Sequence, residues 1–374
     1  MKIRLFKKAA LFITLGCFGA ASFSFAASPS PAVVKAKQEA EAKGYIFFST
    51  QHEIVEMAKK EGRLRVISGQ EPAATKALIN AFRKKYPFIE ITFEQIVGIE
   101  VHQRMLQEMK AGLANDWDVN YLNWDSYTEF MPYQKKFDIL SMAEHGVLQV
   151  APTMVDPVHR NAVALESNMQ VVAYNKDYIA IEKVPTALQD FLKPEFKGKK
   201  FGLDIRSKAL PAIVPVWGLE KVLDFSRKLA AQNPIWYRGD SRALGLMSIG
   251  EIGLTYGLNY KTVKRQQGKD VRKVLEYKLT EPIPARLSEA TAILAAAPNP
   301  HAALLWLEFQ ASTEGQRIID KIDLAASLLS PGSVHEQLTK GKKVSLVGWD
   351  HFQKTGEYEK RIVEALGFPR AEQR

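Results

Sequence analysis

Residues 63–280 run twice through the same alternation of short apolar strand and amphipathic helix. One extended stretch, Asn168-Met169-Gln170-Val171-Val172-Ala173-Tyr174-Asn175-Lys176-Asp177-Tyr178, divides the two runs. No other feature constrains the fold as strongly. A chain that leaves one β-α-β region, builds a second and then resumes the pattern of the first must cross between two bodies at least twice. The first crossing is placed at Asn168–Tyr178 and the second near Lys273–Pro284, where Leu275, Tyr277 and Leu279 alternate with polar residues. Two bodies joined by crossing strands leave a cleft, and a ligand would be held there.

The first region opens with a capping box, Thr50 followed three residues later by Glu53, and its helix stops at Gly62. Before it, Lys35–Lys43 is a charged helical stretch with no evident apolar face. Leu64–Ile67 reads as a strand and Ser68–Glu71 as the loop after it. A helix then places Ala77, Leu78, Ala81 and Phe82 on one face and ends at Tyr86-Pro87. Ile89, Ile91 and Phe93 alternate as a half-buried strand. Val101, Met105, Met109 and Leu113 recur at helical spacing, and Asp118–Leu122 is a further strand ending in Asn123–Ser126. Strands separated by helices and short loops predict a mainly parallel sheet.

Past the first crossing, Pro185–Lys200 reads as a short helix and a basic turn. Phe201–Asp204 and Ile252–Tyr256 read as strands. Helices are expected from Gly218, from Asp240 as N-cap, from Asn259 as N-cap and from Asn299-Pro300. The lobes are accordingly set at 63–168 and 281–374 for the first and 169–280 for the second, with 27–62 as a helical lead-in. The tail past Gly332 is expected to pack back on one lobe.

The 374 residues exceed one ordinary core, which agrees with two lobes. Lys2, Arg4, Lys7 and Lys8 precede an apolar run to Phe25 and a Ser24-Phe25-Ala26 cleavage pattern, the arrangement of a secretory signal peptide spanning residues 1–26. Its loss lowers the net charge from +10 to 10 − 4 = +6. Cys17, the single cysteine, would leave with it, unless Cys17 were instead the acylation site of a lipoprotein. An exported, periplasmic protein without disulfides is expected. No basic run with interleaved aromatics points to nucleic acid, so the positive charge suits anionic solutes.

Catalytic signatures are missing: there is no P-loop, nucleophile elbow or dinucleotide fingerprint, and the seven histidines have no metal-ligand spacing. No enzyme activity and no cofactor is expected. In a parallel sheet, ligands gather beyond the carboxyl ends of the strands. That rule selects Ser68 and Gln70 in the first lobe, Asp125 in the loop 123–127, and Arg206, Ser207 and Arg242 in the second lobe. Tyr174 and Tyr256 stand where the sheet edge should open. Arginine forks and hydroxyls suit an oxyanion, although any one of these arginines could equally be a solvated surface charge.

The chain resembles the periplasmic solute-binding proteins of bacterial ABC importers, in the extracellular solute-binding group that contains the ferric-ion-binding proteins. Ala58–Leu64, Phe82–Pro87, Val172–Asn175, Asp190–Gly198, Gly250–Leu254, Ala297–Ala303 and Ser312–Gln316 carry the resemblance over most of the chain. It implies a two-lobe α/β fold of the type 2 periplasmic-binding-protein kind, each lobe a mainly parallel sheet flanked by helices and joined by crossing hinge strands. It also implies delivery of a small solute to an inner-membrane permease by a monomer. Ferric-ion members place two neighbouring tyrosines after the strand that follows the Gly-Glu motif. Here that region reads Thr255-Tyr256-Gly257-Leu258-Asn259-Tyr260-Lys261, so Tyr256 and Tyr260 are present but the tandem pair is broken and a lysine follows. A cation beside a trivalent metal is unfavourable, and a small organic anion is the expected solute. The alternatives are ferric iron, held by Tyr256 and Tyr260, or a sensor-linked protein that presents its ligand to a signalling receptor.

Overall fold

The computed structural model describes residues 29–367 except 96–98, 115, 123, 125 and 126. The expected export segment 1–26, Cys17 and Asp125 lie outside the described residues. No helix among the described residues is long and apolar enough to cross a membrane.

Among the described residues ten strands are formed: β1 Arg63–Ser68, β2 Glu90–Gln95, β3 Val119–Leu122, β4 Ala162–Asn175, β5 Gly202–Asp204, β6 Ile235–Tyr237, β7 Leu254–Asn259, β8 Leu275–Lys278, β9 Ile283–Ile293 and β10 Val344–Val347. Their order is β2-β1-β3-β9-β4-β7-β5-β6, with β10 added beside β9 and β8 beside β4. β1 pairs in parallel with β2 and β3, and β5 in parallel with β6 and β7. The crossing strands β4 and β9 are antiparallel to each other and to their other neighbours in these ladders, β7 and β3.

The direction of the strands places the cleft. β3 and β4 both run antiparallel to β9, so β4 leaves the first lobe in the direction in which β1–β3 point. β7 runs against β4, so β5–β7 point back. The carboxyl ends of the two parallel sets therefore face each other. β4 pairs with β9 through Ala162–Met169 and with β7 and β8 through Gln170–Asn175, which puts the first crossing at Ser167–Gln170. The second falls between Lys278 at the end of β8 and Ile283 at the start of β9.

Separate cores hold the lobes. The first is centred on the helix Pro300–Ala311, in which every residue from Ala302 to Ala311 is buried. Phe82 and Phe309 pack on its Trp306 with centroids 5.2 Å and 6.3 Å away. Each such fully buried side chain contributes about 1.5–3 kcal/mol. The second lobe has two smaller cores on opposite faces of its sheet, one around Phe191, Leu203 and Leu223, the other around Met169, Leu244 and Val263.

Several local expectations need correction. Lys35–Lys43 belongs to a helix, Pro31–Ala42, that does have an inner stripe: Val33, Ala36 and Ala40 enter the first core. Small residues among lysines hid it. Residues 188–196 form two 3-10 turns rather than an α-helix, because Asp190 accepts from Thr186 N and Ala187 N and bends the chain. Asp240 is not an N-cap; Gly239 holds that place, and Asp240 Oδ2 accepts instead from Asn259 N at 3.1 Å. The tail is not confined to the first lobe. Phe352 packs in the first core, whereas Tyr358, Ile362 and Leu366 of the helix Thr355–Leu366 enter the second. Val334 and Leu338 also pack against the second lobe, and the chain passes between the lobes again at 353–355.

Candidate functional site

Three loops of the second lobe reach the cleft as one unit. Asp204, at the end of β5, accepts from Arg206 N at 2.7 Å with one oxygen and from Gly239 N, after β6, at 2.7 Å with the other. Asp240 takes the Asn259 amide at the end of β7, and Asn259 caps the helix Tyr260–Gln267 by accepting from Lys261 N at 2.9 Å. These carboxylates hold loop backbone, so the neighbouring side chains are presented from a braced surface.

The floor of the cleft is β9, and its two faces differ chemically. Side chains alternate along a strand. Arg286 and Ser288 therefore point one way, Glu289 and Thr291 the other. On the first face, two residues beyond Leu122 of β3 stands Trp124, and two beyond Val347 of β10 stands Trp349. The ladders Leu122↔Ala290 and Val347↔Arg286 set both level with Ser288. The indole centroids are 5.4 Å apart. Arg286 Nε, Ser288 Oγ, Trp124 Nε1 and Trp349 Nε1 are all buried, and none has a hydrogen-bond partner among the described residues. Four buried polar groups, three of them donors only, stand on one face within two residues along β9, with no acceptor supplied among the described residues.

Grooves open beside this face. One of about 290 Å³ is walled by Trp124, Tyr127, Phe352, Gln353 and Gly356. Another of about 420 Å³ includes Arg206, Ser207, Gly356, Glu359 and Lys360. They share Gly356, just past the passage at 353–355, and so connect a first-lobe aromatic wall to the second-lobe arginine.

The opposite face is acidic. Glu166 of β4 and Glu289 are directly opposite partners in the β4–β9 ladder. Glu166 and Glu289 are almost fully buried, with their carboxyls on the same face of the ladder. Burial first, and then the charge of Asp323, push Glu166 up to about 7; burial and Glu166 push Glu289 up well beyond the carboxylate range. Gln70 Nε2 donates to Glu166 Oε1 at 3.0 Å, and Gln310 Nε2 donates to Gln70 Oε1 at 3.1 Å. Gly69 is required here: a Cβ would lie 2.9 Å from Glu289 Oε1 and 3.0 Å from the Tyr121 ring. From the second lobe, Lys261 Nζ reaches Asp323 Oδ1 at 2.6 Å, and Arg265 reaches Asp323 at 2.7 Å and Glu71 at 3.2 Å.

The residues selected from the sequence separate accordingly. Ser68 and Gln70 are buried on the acidic face, where Ser68 Oγ accepts from Gln70 N at 3.1 Å. They brace the first lobe rather than stand open to a ligand. Arg206 is exposed on the larger groove. Ser207 is buried beside it and takes the Leu210 amide at 3.4 Å. Arg242 is exposed in the first turn of the helix Asp240–Ser248. Tyr174 and Tyr256 are corrections: both lie in the second core, Tyr256 with its ring 5.4 Å from that of Phe191, because Leu254 and Tyr256 share the inner face of β7. Burial pushes both phenols upward. The Tyr256 hydroxyl is buried in that core and has no hydrogen-bond partner among the described residues. Tyr260 lies apart from it, its ring 5.4 Å from both Tyr277 and His335.

Sequence reasoning missed Arg286, Ser288, Glu166, Glu289 and Trp349. Two signals could have found them: the period-two run Ile283, Ala285, Leu287 with Arg286 and Ser288 between, and single carboxylates set against the apolar runs Ala162–Leu165 and Ala290–Leu294.

Solved structures share this architecture. Iron-bound HitA from Pseudomonas aeruginosa is 19% identical with a TM-score of 0.58, over 82% of this chain and 99% of that one. The ferric iron-binding protein A of Mannheimia haemolytica in an open conformation is 17% identical with a TM-score of 0.64, over 82% and 100%. The Trichodesmium protein (IdiA, FutA) in complex with iron and citrate is 14% identical with a TM-score of 0.61, over 82% and 100%. Among curated proteins, none matches the chain in sequence. The family model described as bacterial extracellular solute-binding protein matches residues 130–355, more than half of the chain. With two α/β lobes, crossing strands and a cleft between opposed strand ends, the chain belongs to the bacterial extracellular solute-binding proteins.

Proposed function

We propose that this protein is the exported solute-binding component of an ABC importer, acting as a monomer that closes on a small organic anion and presents the closed form to an inner-membrane permease. The reading is carried by the unpartnered set Arg286 Nε, Ser288 Oγ, Trp124 Nε1 and Trp349 Nε1. A buried polar group left without a partner costs about 1–3 kcal/mol. A carboxylate, phosphonate or phosphate ester supplies the missing acceptors, with a charge-assisted bond from Arg286. Arg206 and Ser207 would meet the anion from the second lobe, so that closure adds contacts the open form lacks.

Ferric iron is the second reading, favoured by the iron-bound and ferric-binding proteins among the similar structures and by Tyr260 after β7. Lys261 weighs against it. Its ammonium is fixed 2.6 Å from Asp323, where a trivalent ion beside Tyr260 would meet a positive charge.

Native mass spectrometry of the protein recovered from its own cells, with metal analysis of the same sample, tests the reading. A stoichiometric small-anion adduct without iron is expected. Stoichiometric iron without an anion would overturn it.

A further inference from the structure

The acidic face of β9 encloses a small cavity, whose chemistry is independent of how the lobes move and of which solute they hold. We propose that this cavity is a site for one dehydrated monovalent cation of the size of sodium, held by Glu289 and Gln310. Its polar walls are Ser68 and Gln70 at the end of β1, Tyr121 of β3, Glu289 and Thr291 of β9 and Gln310 of the helix Pro300–Ala311. Gly69, whose missing Cβ lets the chain pass close over Glu289 Oε1, covers it. The space is about 10 Å³, room for one water-sized sphere.

Two oxygens of the wall have no hydrogen-bond partner among the described residues: Glu289 Oε1 and Gln310 Oε1, on residues only 5% and 3% exposed. A chain of bonds fixes which atom of Gln310 is left over. A carboxylate only accepts, so Gln70 turns its Nε2 to Glu166 Oε1, at 3.0 Å. Gln70 Oε1 then faces Gln310 Nε2, at 3.1 Å, and Gln310 Oε1 is the atom without a partner. Thr291 Oγ1 donates its proton to Asn120 O at 3.0 Å, which leaves its lone pairs free. Ser68 Oγ adds a second hydroxyl oxygen. A carboxylate, an amide oxygen and two hydroxyls are ligands for a hard cation.

Charge calls for the same occupant. Glu166 and Glu289 are opposite partners in the β4–β9 ladder, and neither makes an ion pair among the described residues. Lys261 and Arg265 are bound instead to Asp323 and Glu71. A buried carboxylate without a compensating charge is costly. A water would fill the space and satisfy both oxygens, yet leave the charge as it was. A cation does both. Calcium takes about six to eight oxygens and magnesium keeps several waters, and a space for one sphere accommodates neither shell. Potassium is larger than sodium and fits less well.

Thermal unfolding of the whole protein at pH 8, in sodium, potassium and choline chloride of equal ionic strength, tests the site. The midpoint is expected to lie about 2–4 °C higher in sodium chloride than in the other two salts. Chloride is common to all three, so the donors on the other face of β9 cannot produce the difference. Glu289→Gln keeps the shape and removes the charge, and Gln310→Met removes the amide oxygen. Each abolishes the sodium-specific rise, whatever it does to the midpoint itself. A wild-type midpoint no higher in sodium chloride than in the other salts, the result a water or a proton in the cavity would give, would overturn the proposal. So would a sodium-specific rise that persists in either variant. No solute enters the measurement, so its failure is distinct from failure of the anion reading.

Discussion

The two faces of β9 use the same backbone for opposite purposes. On one, Arg286 and Ser288 stand with Trp124 and Trp349 around unpartnered donors. On the other, Glu289 faces Glu166 beside Gln70, Gln310 and Asp323, with Lys261 reaching Asp323 from the second lobe. Period-two alternation makes this possible, since one residue step moves from a site that lacks acceptors to one saturated with them. The comparison is one of charge: the unpartnered buried groups of the first face are mainly donors, whereas those of the other, Glu289 Oε1, Gln310 Oε1 and Asp323 Oδ2 among them, are mainly acceptors.

That contrast can be broken most decisively at Arg286. Arg286→Met removes the only charged donor of its set and should weaken capture of the native solute about 10–100-fold, the equivalent of one charge-assisted bond, with thermal stability of the free protein preserved. Calorimetric titration with the recovered solute measures it; unchanged affinity would mean that the donor face is not the binding face. Gly69→Ala strikes the acidic face alone. Its methyl group would crowd Glu289 and the Tyr121 ring, and a loss of roughly 1–3 kcal/mol in denaturant unfolding is expected, while solute affinity changes little. A fall in affinity as large as that of Arg286→Met would show the faces to be one site. Arg242→Ala should do least. Its exposed side chain makes no ion pair among the described residues, and a change in affinity below about threefold is expected. A larger effect would extend the site across the mouth of the second lobe.

Much of the architecture was legible because it depends on local pattern. The strand around Val171–Tyr174, the capping residues Thr50 and Asn259, and the opposition of strand ends all rest on period, turn chemistry and parallel pairing. The site was legible only in part. Arg206 and Ser207, selected by the rule of strand ends, border a groove, but Tyr174 and Tyr256 satisfy the same rule and are core, since the rule does not say which face of a strand is covered. Arg286 and Glu289 depend on which neighbour lies across β9, a contact with residues more than a hundred positions away in the chain. Trp349 was hidden by a tail whose strand, β10, is a short edge addition beside β9.

The passage at 353–355 bears on the proposed opening of the lobes. A pair of adjacent strands at the floor would by itself permit both swinging and twisting. A further connection at Gly356, bordering the two grooves and anchored by Phe352 on one side and Tyr358 on the other, acts as a check strap. In the proposed closure on a solute, a tie at this position restrains rotation about the long axis and limits how far the lobes part.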